Sequence, residues 1–89
     1  MININTLIWD IENQNHIKKH RISTTEIEEA CQNANQAIIS FRKRLLIKGE
    51  TLNQRKLNIV LSPQDKNGKS YPEGIYYPIT AYESESDYD

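Results

Sequence analysis

Apolar residues follow two different rhythms along this chain, and the change falls near Gln36. Ahead of it, Ile27, Ala30, Cys31 and Ala34 recur at i, i+3, i+4 and i+7, the spacing that gathers one buried face of a helix. Ser23 and Glu26 stand just before that stripe with the spacing of a capping box, in which each side chain satisfies the other's free backbone N–H. An earlier helix is expected over 11–20, entered from a short strand at 6–9 through Asp10 as N-cap. Beyond Gln36 the apolar positions become continuous or alternate, which predicts strands at 37–41, 45–47 and 57–61.

Residues 63–74 form a polar loop, after which Ile75, Tyr77, Ile79 and Ala81 alternate with their neighbours as a last strand. Pro78 cannot donate to a ladder, so this strand should lie at an edge or bulge there. The predicted order is β-α-α-β-β-β-β. Strands joined in succession by short turns give a mainly antiparallel sheet, and two N-terminal helices pack on one of its faces. The expected class is α+β, as one domain over residues 1–82 with a disordered acidic tail at 83–89.

Composition narrows the function. Eighty-nine residues hold one modest core and no deep cofactor cavity, so no cofactor is expected. The net charge is −1, but Glu83, Glu85, Asp87 and Asp89 all follow residue 82, and the preceding chain carries 11 cations against 8 anions. A single cysteine excludes an internal disulfide. The start lacks a signal-peptide pattern and no apolar run approaches the roughly 20 residues that span a bilayer, so a cytoplasmic protein is expected.

Chemistry concentrates in the first helix. His16 and His20 lie four apart, on one face, with Lys19 beside them. Two imidazoles can act as general acid and base, since they titrate near neutral pH. The same spacing suits a metal ion, but no persuasive third ligand is present, and no metal is expected. His20 can instead simply cap the helix's last carbonyls. Arg42, Lys43 and Arg44 open one strand and Arg55 and Lys56 the next, with Lys48 expected near Arg55 or Lys56 across the hairpin. Such cations either hold phosphate oxygens or keep a sheet edge in water. Tyr71, Tyr76, Tyr77 and Tyr82 could stack on unpaired bases, or serve only the sheet.

The run W-D-x-x-N-x-x-H-I-x-K-H-x-I followed by E-I-E-E-A, and then R-L-L-I-K-G-E-T-x-x-x-R-K-L-x-I-V, resembles the BrnT family of bacterial toxins over residues 7–82. The resemblance implies a RelE-like fold and metal-independent endoribonuclease activity on mRNA. It also implies a BrnA-like ribbon-helix-helix antitoxin as partner, with DNA reached only through that antitoxin, as a toxin homodimer or a toxin–antitoxin heterotetramer. Trp9 and Asp10 match the end of the family's first strand, Lys19 and His20 its basic-residue-then-histidine pair, and Arg44, Gly49 and Arg55 its central strand and hairpin. On this reading His16 and His20 are base and acid, Lys19, Arg44 and Arg55 stabilise the phosphate, and Lys18, Arg42, Lys43 and Tyr82 contact the RNA.

The chain departs from the family pattern at three places. Arg21 replaces a glycine, Gln54 replaces the turn glycine, and Thr80-Ala81-Tyr82 stands where S-A-R leads into a basic helix. The missing arginine and the acidic end fit an alternative, a catalytically degenerate homologue that only binds protein or RNA.

Overall fold

The computed structural model describes residues 4–40 and 43–84. Its elements are β1 (Thr6–Leu7), α1 (Ile11–Lys18), α2 (Thr24–Gln32), β2 (Ala34–Ile39), β3 (Leu45–Glu50), β4 (Lys56–Ser62) and β5 (Ile75–Glu83). The class is α+β. The five strands form one mixed sheet in the spatial order β1-β5-β4-β3-β2. Strands β2 to β5 pair antiparallel in succession, whereas β1 joins β5 in parallel through Thr6 and Leu7. Spatial neighbours therefore depart from the expected succession at one place, because the two helices carry the chain from β1 across to the opposite edge.

Both helices start where their caps dictate. Asp10 accepts from the Asn13 N–H while the Asn13 side chain accepts from the Asp10 N–H, and Ser23 and Glu26 make the same reciprocal pair. Helix α1 stops two residues earlier than expected. Lys19 is its C-cap, and Arg21 turns the chain at φ 59° so that Ile22 can enter the core. Ala34 leaves the expected helical stripe. Asn33 ends α2 and Ala34 begins β2, exposed to solvent. Arg42 and Phe41 lie outside the described residues, as does the tail from residue 85; Glu83, expected in that tail, is the last residue of β5.

The core lies between α2 and one sheet face. Ile17, Ile22, Ile27 and Ala30 meet Leu45, Ile47, Leu57, Ile59, Leu61 and Ala81. Helix α2 approaches β3 so closely that a Cβ on Gly49 would overlap the Ala30 carbonyl. Helix α1 packs on β5 instead. The other sheet face carries Leu46, Val60 and Thr80 in one cross-strand row and Lys48, Asn58 and Tyr82 in the next. Lys48 therefore faces Asn58, and Glu50 faces Lys56, correcting the expected approach of Lys48 to Arg55 or Lys56. The register slips between Val60 and Leu61 opposite Pro78–Thr80, the bulge that Pro78 led us to expect.

Candidate functional site

Helix α1 runs alongside β5 and is tied to it at successive heights. Asn13, only 3 % exposed, donates from Nδ2 to the carbonyls of Ile8 and Pro78 at 2.9 and 3.1 Å. One turn on, His16 Nε2 and Thr80 Oγ1 are 2.9 Å apart. His20 follows, its ring centroid 5.5 Å from that of His16 with the planes inclined at 56°. The two imidazoles thus stand together beside the sheet face that α2 leaves uncovered among the described residues, the face that carries Thr80 and Tyr82. The i, i+4 spacing still brings the rings together, although His20 lies just past the helix end.

Beside His16 a groove of about 470 Å³ opens, lined by Asn15, His16, Lys19, Lys66, Tyr77 and Ile79 among others. One wall is a polar cluster. The Tyr77 hydroxyl donates to Asp10 at 2.9 Å, and Lys66 reaches Glu12 at 2.9 Å and Asp10 at 3.4 Å. The Asn13 N–H, followed by Tyr77 and Lys66, holds the Asp10 carboxyl below the usual carboxylate range. Burial, and then the hydrogen bond to Asp10 and its charge, push the Tyr77 phenol up to about 12, so it stays a donor at neutral pH. Lys18 belongs to the other flank of α1, in a second depression shared with Arg21 and Glu26. The helix therefore divides the cations: Lys19 accompanies the histidines and Lys18 does not.

The two arginines expected to act together are far apart. Arg44 precedes β3 and Arg55 precedes β4, beyond opposite ends of a ladder of six residue pairs, so about 20 Å separates them. Arg55 lies at the C-terminal end of α1, where its Nη1 donates to the Arg21 carbonyl at 2.9 Å and to Glu26 at 3.0 Å, and its Nε to Glu83 at 3.0 Å. Those two carboxylates hold the guanidinium more firmly charged than usual. Its donors are directed at protein groups, which makes it a brace between α1, α2 and β5. Lys43 and Arg44 are exposed at the β2–β3 connection, beyond the opposite end of that ladder from Arg55, and Tyr82, 45 % exposed, lies two residues along β5 from Thr80, the partner of His16.

Sequence reasoning missed Thr80, the partner of His16, and the Asp10–Tyr77–Lys66 cluster, since only the fold brings residues so distant in the chain together. The D-x-x-N spacing of Asp10 and Asn13 was a readable capping signal for Asn13. Among the described residues no group of three or more histidine, cysteine or acidic side chains could hold a metal ion, and no helix is long and apolar enough to cross a membrane. The Cys31 thiol, half-buried against the core, is pushed up to about 12 by burial and then by Glu28, which makes it a poor nucleophile. No protein-family description, curated protein or solved structure matches the chain.

Proposed function

We propose that this protein is the toxin of a type II toxin–antitoxin pair, a RelE-like, BrnT-type endoribonuclease that cleaves mRNA without a metal. The observation that carries this reading is the adjacency of His16 and His20 at the edge of an uncovered sheet face, with Lys19 beside them. One imidazole accepts the proton of a ribose 2′-hydroxyl as that oxygen attacks the neighbouring phosphorus. The other donates a proton to the departing 5′-oxygen, leaving a 2′,3′-cyclic phosphate and a 5′-hydroxyl. Lys19 offsets charge on the phosphate oxygens, and Thr80 holds the His16 ring. Tyr82 offers a ring for an unpaired base, while Arg44 and Lys43, just before β3 on the same sheet, supply further cations for the RNA backbone. Arg55 supports α1 from below instead of touching phosphate.

The partner on this reading is a BrnA-like ribbon-helix-helix antitoxin, through which alone the complex meets DNA. A second reading is a binding-only homologue, favoured by the capture of Arg55 between Glu26 and Glu83. Induced expression of the wild-type chain and of the His16→Ala, His20→Ala double variant, with growth and total RNA followed in parallel, decides between them. Arrest with RNA carrying cyclic-phosphate ends, lost in the double variant, supports the nuclease. Normal growth and intact RNA from folded, abundant wild-type protein overturns it in favour of the binding module.

A further inference from the structure

Strand β2 ends the sheet, and nothing in its sequence protects it. All six residues, Ala34-Asn35-Gln36-Ala37-Ile38-Ile39, are exposed, and none is charged or proline. Edge strands normally carry lysine, proline or an inward charge to discourage further pairing. Here Ile38 and Ile39 are 40 % and 68 % exposed instead. We propose that β2 pairs with β2 of a second copy of this chain, antiparallel about a two-fold axis through Ile38.

The hydrogen-bond register fixes that axis. Ser40 donates to the Arg44 carbonyl, and Gln36 and Ile38 pair with Lys48 and Leu46 in the same phase. In an antiparallel ladder each residue directs both backbone groups to one side, so Gln36, Ile38 and Ser40 spend theirs on β3. Ala37 and Ile39 direct theirs away from the sheet. The strand is irregular between Ala34 and Gln36, which leaves Ala37 and Ile39 as the outward residues of the regular stretch. A two-fold at Ile38 sets each Ala37 opposite the partner's Ile39 and satisfies all these groups. A two-fold at Ala37 would instead set Ile39 against the irregular Asn35.

The side chains and charges agree with this register. Ile38 meets its own copy on the uncovered face, extending the row of Leu46 and Val60, and Ile39 meets Ala37 on the other. An uncharged strand meets no like-charge repulsion when it pairs with itself. The same geometry carries the hairpin tip, with Lys43 and Arg44, to the C-terminal end of the partner's α2. That helix has no basic residue in its last turn and carries Glu28 and Glu29, so the tip supplies the cations that end favours. The product is a continuous ten-stranded sheet with both uncovered faces on one side.

Sedimentation equilibrium of the full chain and of Ile38→Glu tests the pairing, with circular dichroism and thermal unfolding as the check on folding. A wild-type dimer whose dissociation constant rises about tenfold or more in Ile38→Glu is expected, because two like charges then oppose each other on the axis. Directly opposed residues that do not exchange backbone bonds sit about 4.5 Å apart at Cα, within disulfide range. Oxidised Ile38→Cys should therefore cross-link fully, and Gln36→Cys and Ile39→Cys should not. A chain monomeric at about 0.2 mM, which leaves the edge for a strand of another protein, overturns the proposal. So does a dimer indifferent to Ile38→Glu, or preferential cross-linking at a position other than Ile38.

Discussion

Arg55 Nη1 lies 3.0 Å from both carboxylate oxygens of Glu26, and Glu26 also accepts from the Ser23 N–H at the start of α2. One carboxylate thus closes the helix cap and anchors the cation that reaches the Arg21 carbonyl at the end of α1. Replacing Arg55 with alanine leaves Glu26 and Glu83 facing each other without their shared cation. The expected loss is about 1–2 kcal/mol, discounted because Glu83 is half-exposed, and is read as a lower midpoint in urea with an unchanged slope.

The same contact sets an acid limit. Burial raises the Glu26 carboxyl, but hydrogen bonds from Ser23 and Arg55 outweigh it, so the group ionises below the ordinary glutamate range. A depressed folded-state value means that its contribution is present above roughly pH 4 and is lost as pH falls through the folded value. Unfolding free energy should therefore decrease below that pH. In Glu26→Gln the protein should be less stable at pH 7 and should show a shallower acid decline, measured by urea titration between pH 3 and pH 7.

Asn13 uses one buried amide to join three segments: the entry to α1, the end of β1 and the middle of β5. Asn13→Asp keeps the shape but removes two donors and faces carbonyls with an acceptor. It should cost roughly 2–3 kcal/mol by thermal or urea unfolding, more than any exposed substitution on α1.

Gly49→Ala should be still more damaging. The added carbon meets backbone rather than a movable side chain, so α2 must lift from β3 and uncover Ile27 and Ile47. A loss of about 3 kcal/mol or more is expected, with increased binding of a hydrophobic dye.

Thr80→Val tests the site apart from the fold. The threonine is partly exposed and isosteric with valine, so the unfolding midpoint should stay close to wild type. On the proposed function, RNA cleavage should fall by about tenfold as His16 loses the contact that orients it, while Thr80→Ser should retain most of the activity.

Local chemistry made much of this molecule readable from its residues. Ser23 and Glu26 announced α2, Pro78 announced an irregularity in β5, and the switch of apolar spacing announced helices followed by strands. The boundaries that failed were decided by packing. Ala34 has a side chain suited to either structure, and it became strand because β3 offered a ladder partner in Gly49. His20 fell outside α1 because burying Ile22 requires the chain to turn at Arg21.

The candidate site divides along the same line. His16, Lys19 and His20 could be grouped from sequence, because helical geometry relates residues three and four apart without reference to anything else. Arg44 and Arg55 could not be assigned, since the positions of strand ends depend on register and direction, and the antiparallel ladder sends them about 20 Å apart. Thr80 and Glu83 are 64 and 28 residues from the side chains they bind, and no local rule relates such pairs. The sequence by itself determined where the two helices begin and which short-range side chains share a face, since caps and periodicity act over a few residues. Only the tertiary structure decided which cations meet the histidines, which one becomes a brace, and which edge stays open, because those outcomes follow from strand order and the packing of α1 against β5.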